Sequence, residues 1–461
     1  MSKIFSNIEK YKEKIALVDN SEKSYSYNEV VDHVKEISKN VKKKTLILFV
    51  SSNTLESIVG YISFVRNDNL IILLDKSVNK KFVNDIIYKY NPSYIYKPKK
   101  NLVIKNSNDK IYNGKEYEII RTSYGLKNNY HKKNFILLTT SGSTGNPKLV
   151  RLSEENIIDN TKKIKDYLKI NIKNTTITTM PMAYSYGLSI INTFIYSGGK
   201  IILNDKSIFE KIFWNKINSF NVNSISGVPE FFKFLKKLKF EKFNLKNIKY
   251  LTHAGGYLEK DIIKYFVKIA KKNKYKFFSM YGQTEASPRM SYLECTKEIK
   301  KIGSIGKPLK GSKFFIINEK KKVINKNYLN GEIVYKGKNV CLGYAKNLND
   351  LNKGNLNKGE LFTGDIGYKD KDGYYYLTGR KNRISKIFGL RFNIDDIENK
   401  LKKNNFLTKI IPSNNSLKIF IINNYDVNKI KSLIFDLYKI NKNFILINKV
   451  KKFTNNTLFY K

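Results

Sequence analysis

Cysteine is almost missing from this chain of 461 residues, which holds only Cys295 and Cys341. Two thiols build neither a disulfide framework nor a zinc site, so a reducing, cytoplasmic setting is expected. The three histidines, His33, His131 and His253, are too scattered for a metal cluster or a nucleophilic triad. Nor is there a long uninterrupted apolar run. The most apolar stretch, residues 45–65, is broken by Ser51, Ser52, Asn53 and Glu56, so it fails as a membrane span and reads as a strand, a loop and a helix. The opening MSKIFSNIEKYKEK is charged and lacks the apolar core of a signal peptide, so export is not expected.

Acidic residues are scarce, 39 against 86 lysines and arginines, for a formal charge of +47. Arginine is scarcer still: seven residues, at 66, 121, 151, 289, 380, 383 and 391, against 79 lysines. A dedicated nucleic-acid reader leans on arginine and clusters its charge. Here lysine runs from Lys3 to Lys461 amid asparagine, isoleucine and tyrosine, a drift of the whole composition rather than a binding stripe. No nucleic-acid partner is expected. With 41% hydrophobic and 13% aromatic residues, the chain is also too apolar to stay disordered.

At roughly 150 residues per domain, two to four folding units are expected. Short apolar runs at 45–50, 70–75, 134–140, 175–181, 200–204 and 248–255 read as buried strands of parallel sheets. Helical patterns lie between them at 27–43, 154–169 and 259–273. Such alternation means an α/β fold. Beyond about residue 300 come short strands punctuated by glycine, a β-rich subdomain, and from about 383 a small α+β unit.

The segment 138–148, Leu-Thr-Thr-Ser-Gly-Ser-Thr-Gly-Asn-Pro-Lys, runs from an apolar strand into hydroxyls and glycines. Backbone N–H groups in such a loop can approach phosphate oxygens, and Lys148 adds a point charge. It is not the P-loop of the common NTPases, because Lys148 follows Pro147 and precedes Leu149. Three further segments follow: Tyr281-Gly-Gln-Thr-Glu-Ala-Ser287, Gly359-Glu-Leu-Phe-Thr-Gly-Asp365, and 379–391 from Gly-Arg-Lys-Asn-Arg to Phe-Gly-Leu-Arg.

These four segments, in this order and spacing, resemble the adenylate-forming (AMP-binding) superfamily of acyl-CoA synthetases, nonribosomal-peptide adenylation domains and luciferases. The resemblance spans nearly the whole chain. It implies a large N-terminal domain over 1–381, built of two α/β subdomains and a β-rich one, and a mobile α+β C-terminal domain over 382–461 with its hinge at Asn382. It also implies a ligase that activates a small carboxylic acid with ATP and Mg²⁺ and passes the acyl group to coenzyme A or a phosphopantetheine, the latter on a carrier protein acting in trans.

By the same resemblance, Ser141, Gly142, Ser143, Thr144, Gly145 and Lys148 hold the β- and γ-phosphates. Thr284 touches the α-phosphate and Glu285 helps bind the metal, a hard cation suited to carboxylate oxygen. Tyr281 and the Gly255-Gly256 turn border the adenine, Asp365 accepts the ribose hydroxyls, and Arg380 contacts ribose or phosphate. Residues 180–189 line the acyl pocket, with Tyr184 in a gating position and His253 beside the turn. Glycine at 187, where amino-acid-activating relatives place an aspartate nearby, argues against an α-amino acid, whose ammonium would be left unpaired.

One expected residue is missing. The family's C-terminal catalytic lysine aligns with Leu458, and a leucine cannot stabilise a pentavalent phosphate. Three consequences stand open: adenylation is slow, Lys461 or Lys452 substitutes (Lys461 being the candidate catalytic residue), or the protein serves the second half-reaction. The alternative from another class is a catalytically impaired protein that binds ATP or acyl-AMP as a sensor. In acid-dependent exchange of pyrophosphate into ATP, Leu458→Lys is expected to raise the rate and Lys461→Ala to lower it, each about tenfold or more. Unchanged rates in both variants contradict the alignment of the tail.

Overall fold

The run Thr45–Val50 is apolar at every position after the first rather than at alternate ones, the pattern of a strand covered on both faces. The computed structural model describes residues 3–100, 109–124, 130–139, 148–243, 245–387, 390–413, 416–422, 425–453 and 458–460. In it this run forms β1 (Leu46–Ser51), fully buried. Ile47 and Phe49 enter one core, and Leu46, Leu48 and Val50 enter another. By its contacts the chain divides into two units, Met1–Lys313 with Tyr335–Leu361, and Phe314–Val334 with Phe362–Lys461.

The first unit holds two sheets. In the eight-stranded one, β1 pairs in parallel with β2 (Leu70–Asp75), and β2 in parallel with β3 (Ile136–Thr139). Then β3 turns back antiparallel onto β4 (Leu149–Leu152), which pairs with the edge strand Gly343–Ala345. The nine-stranded sheet carries β5 (Thr175–Ile177), β6 (Ser224–Gly227), β7 (Tyr250–His253) and β8 (Lys276–Gly282) in parallel, with β9 (Arg289–Glu294) antiparallel to β8. The six strands and three helices expected from periodicity are all present, and residues 45–65 form a strand, a loop and a helix.

One apolar core joins both sheets through α1 (Tyr27–Ser38), α2 (Leu55–Arg66), α4 (Glu154–Leu168) and α5 (Ser185–Tyr196), whereas α3 (Lys80–Tyr90) covers the opposite face of the eight-stranded sheet. Local sequence fixes where the site-bearing helices start. Ser153 follows β4 and caps α4, its hydroxyl accepting from Asn156 N–H while the Asn156 side chain accepts from Ser153 N–H.

In the second unit a four-stranded sheet runs in the order Lys313–Ile317, Gly331–Lys336, β10 (Glu360–Lys369) and β11 (Tyr375–Arg380). Hairpin strands Ile384–Ile387 and Leu390–Asn393 follow, then a sheet of Thr408–Ser413, Ser416–Ile421, Ile445–Phe453 and Leu458–Tyr460. Helices Ile394–Lys403 and Val427–Tyr438 pack on this last sheet around an isoleucine-rich core. Among the described residues, no helix is long and apolar enough to cross a membrane.

Two arginines that the sequence places beside the motifs are structural clamps. Arg151 is fully buried, and its guanidinium donates to the carbonyls of Leu342 (3.2 Å), Gly354 (3.1 Å) and Lys353. It fastens the segment carrying strand Gly343–Ala345 to β4. In the second unit Arg383 pairs with Asp395 (2.8 Å) and Glu398 (2.6 Å) of the first C-terminal helix. Replacing Arg151 by methionine strands three carbonyls, so urea unfolding is expected to show a loss of about 3 kcal/mol, with lysine recovering less than half. A loss under about 1 kcal/mol contradicts the clamp.

Candidate active site

The phosphate-loop segment lies in the hairpin between β3 and β4, whose ends are held by the pairing of Thr139 with Leu149. The element that follows β3 among the described residues is thus an antiparallel strand, not the helix of the NTPase P-loop. Ser141, Gly142, Ser143, Thr144 and Gly145 lie outside the described residues, as does Lys461. Lys148, the last residue before β4, is exposed, and its Nζ stands 4.1 Å from the centre of the Tyr344 ring. The Tyr344 hydroxyl donates to Glu285 Oε1 at 2.7 Å. Burial, and then the Glu285 charge, hold that phenol well above its usual range, so it stays a donor. Tyr344 thus sets the phosphate-loop lysine and the predicted metal carboxylate on one ring.

The turn carrying Thr284 and Glu285 is fixed by backbone contacts with residues 339–341. Cys341 N–H donates to the Glu285 carbonyl (2.8 Å), Asn339 Nδ2 to those of Ala286 (2.6 Å) and Arg289 (2.8 Å), and Ser287 Oγ to the Asn339 carbonyl (2.8 Å). From the other side, Ser185 Oγ at the start of α5 lies 3.1 Å from Thr284 Oγ1. Tyr281, at the end of β8, is half-buried beside this turn.

The predicted acid-pocket residues gather at the same end of the nine-stranded sheet. Gly255 has φ +88°, and a Cβ there would stand 2.4 Å from the Tyr184 hydroxyl, so only glycine admits the tyrosine. Gly256 packs against Pro229. Gly187 is required by its own backbone, since a Cβ would meet the Pro181 carbonyl at 2.3 Å. Tyr184 is half-buried, whereas Tyr186 is a core residue whose hydroxyl hydrogen-bonds Thr252 Oγ1 at 2.7 Å. His253 ends β7, 3% exposed, its Nδ1 3.4 Å from Ser279 Oγ.

In the second unit, Asp365 and Arg380 sit opposite each other on β10 and β11, and Arg380 Nε donates to Asp365 Oδ1 at 2.7 Å. Asp365 is buried and its partner more than half exposed. The Asp365 side chain therefore takes part in this cross-strand pair. Asn382 falls in the short 3-10 turn Lys381–Arg383, and the backbone of Leu458 opens the last strand.

A family model described as AMP-binding enzyme matches residues 4–345, from the N-terminal region through the phosphate loop and the Thr284–Glu285 turn to Tyr344. The chain belongs to this family. A 2-succinylbenzoate–CoA ligase of Bacillus cereus is 26% identical over 392 residues, 82% of this chain and 75% of the relative. Oxalate–CoA ligases of Arabidopsis thaliana and Saccharomyces cerevisiae are 28% and 31% identical over 53% of this chain. Those matches cover 48% and 44% of the two ligases, so the chain spans about half the length of these curated relatives. The O-succinylbenzoate coenzyme A synthetase of Bacillus subtilis in complex with AMP shares the fold, with a TM-score of 0.78 over 99% of this chain and 96% of that one at 17% identity. The same synthetase with ATP and magnesium ion gives 0.78 at 18% over 98% and 96%.

For an AMP-binding enzyme, the sequence reading missed Tyr344, Ser185 and Asn339, which lie in or beside segments it noted but carry no charge to mark them. Both cysteines are buried, and burial pushes both thiols up to about 12, which keeps them protonated. His253 is held neutral. Burial, then the Arg289 charge, push its imidazole from the ordinary 6.5 down to about 3. Between those values the unfolded chain binds a proton that the native state refuses, so stability falls as pH drops below 6.5, by up to about 1.4 kcal/mol per pH unit. His253→Gln is expected to flatten the stability of this enzyme between about pH 6.5 and 5 in urea titrations; equal slopes for both proteins contradict the buried neutral imidazole.

Proposed function

We propose that this chain is an ATP-dependent acid–thiol ligase. A carboxylate oxygen of the acid attacks the α-phosphorus of ATP, the bond to pyrophosphate breaks, and a thiol then attacks the acyl carbon and releases AMP. The observation that carries the reading is the Lys148–Tyr344–Glu285 cluster beside Thr284. The first step brings anions together, so placed cations and donors dominate its barrier. Lys148 lies beside a segment rich in hydroxyls and glycines, Thr284 supplies a hydroxyl for the α-phosphate, and Tyr344 fixes the direction of Glu285.

A magnesium ion, when bound, offsets phosphate charge. Among the described residues no group of three or more His, Cys, Asp or Glu side chains could cage a metal. One carboxylate, Glu285, held through Oε1 by Tyr344, fits an ion that takes most ligands from phosphate and water. In the second unit we assign the ribose hydroxyls to Asp365, with Arg380 as its partner, and place the domain boundary between residues 381 and 382. The acceptor is coenzyme A or a carrier-bound phosphopantetheine; the CoA ligases among the relatives support the former. The sensor reading rests on Leu458 alone.

Acid-dependent exchange of labelled pyrophosphate into ATP tests this. Glu285→Ala is expected to lower exchange by about 100-fold or more and Tyr344→Phe by about tenfold, with the fold intact. ATP binding without exchange for any acid favours the sensor and overturns the ligase.

A further inference from the structure

Beside the Thr284 turn lies a buried charge without a counter-charge. Arg289 opens β9 five residues after Thr284 and is 2% exposed. Its guanidinium carbon stands 4.7 Å from the centre of the Tyr186 ring, and its Nε is buried without a hydrogen-bond partner. None of the ion pairs among the described residues includes it. Arg151, equally buried, donates to three carbonyls, and Arg383 holds two carboxylates. Arg289 instead faces neutral groups: the Tyr186 ring, the Tyr167 hydroxyl and, more distantly, the neutral His253.

An arginine that serves only packing is poorly placed here. Desolvating a guanidinium is costly, and the cost is recovered only by an anion or a full set of acceptors. Arg289 borders one small internal cavity with Tyr186, Ser226, Thr252, Tyr250 and Met280, together with isoleucine, leucine and phenylalanine side chains of α4 and α5, with no acid in the lining. Tyr186 of that lining follows Ser185 in α5, and the Ser185 hydroxyl lies 3.1 Å from Thr284 Oγ1. The planar fork of a guanidinium matches a carboxylate through two parallel hydrogen bonds.

We propose that Arg289 is the specificity residue for a second carboxylate on the substrate, so that the acid activated at this site is a dicarboxylic acid. One carboxylate meets the α-phosphate beside Thr284 and the other pairs with Arg289. This rests on the acid-ligase reading of the same site. The backbone of residue 289 is held independently of its side chain, by Asn160 on its N–H (3.2 Å) and carbonyl (2.8 Å) and by Asn339 on its carbonyl (2.8 Å). Substitution of the side chain alone therefore leaves the turn anchored.

The test compares straight-chain diacids of about three to six carbons with monoacids of equal length, by calorimetric binding and by pyrophosphate exchange, in the wild type, Arg289→Met and Arg289→Lys. The wild type is expected to prefer the best diacid by about 100-fold in both readouts. Arg289→Met is expected to lose that preference while keeping its monoacid rate and ATP affinity, and Arg289→Lys to keep part of it. A wild type that binds monoacids as well as diacids overturns the proposal, whatever the variants do. So does a parallel fall for both acid classes in a folded Arg289→Met, the mark of a structural role. Diacid binding that depends on Arg289 without exchange upholds the recognition and overturns only the ligase reading.

Discussion

The hydrogen bond from the Tyr344 hydroxyl to Glu285 is the contact on which the organisation of this site depends. Tyr344 belongs to the edge strand of the eight-stranded sheet, and Glu285 to the turn between the last long strands of the nine-stranded sheet. Where they meet, Lys148 lies over the tyrosine ring and residues 339–341 fasten the turn through Asn339 and Cys341. A carboxylate and a lysine that we propose act on the same phosphates must neither collapse on each other nor drift apart. A rigid aromatic ring, bonded at its hydroxyl and covered at its face, keeps both in place without neutralising either. Behind it, Arg151 ties the same edge strand to β4, so the clamp and the site share one strand.

Among the described residues, Arg151, Lys97 and the half-buried Arg383 follow one rule, and Arg289 departs from it. Arg151 is satisfied by carbonyls, Arg383 by two carboxylates, and Lys97 by the buried Glu118 at 2.6 Å. Arg289 alone among these has no acid or carbonyl on its side chain, and its charge helps to keep the neighbouring His253 neutral. Burial of unpaired charge is expensive enough that such an exception points to a ligand rather than to packing. Its place beside the Thr284 turn ties substrate selection to the reaction centre.

Much of the fold was legible in the sequence because parallel strands covered on both faces leave continuous apolar runs, and capped amphipathic helices leave a 3.6-residue period. Helices such as α5 were not, because Ser185–Tyr196 is apolar nearly all round and gives no face to read. Of the candidate site in the first unit, the residues whose side chains suit phosphate or its metal stood out: Lys148, Thr284 and Glu285. What organises them did not. Tyr344 is one of 32 tyrosines and Asn339 one asparagine in a chain rich in them, and neither type reveals burial or partner without the tertiary structure. Gly187 reads from sequence as a choice against an ammonium-binding aspartate, yet the backbone approach of Pro181 already demands glycine there. The arginines near the motifs looked alike in sequence and divide in the structure into clamps, a cross-strand pair and one unpaired charge.

The central claim is that this constellation directs a carboxylate onto the α-phosphorus of ATP. Oxygen labelling tests it most directly. An acid enriched in ¹⁸O at its carboxylate is incubated with ATP, magnesium and coenzyme A, and the nucleotide product is weighed by mass spectrometry. The account predicts AMP carrying one ¹⁸O from the acid, formed in step with thioester. Unlabelled AMP, or ADP in its place, contradicts it.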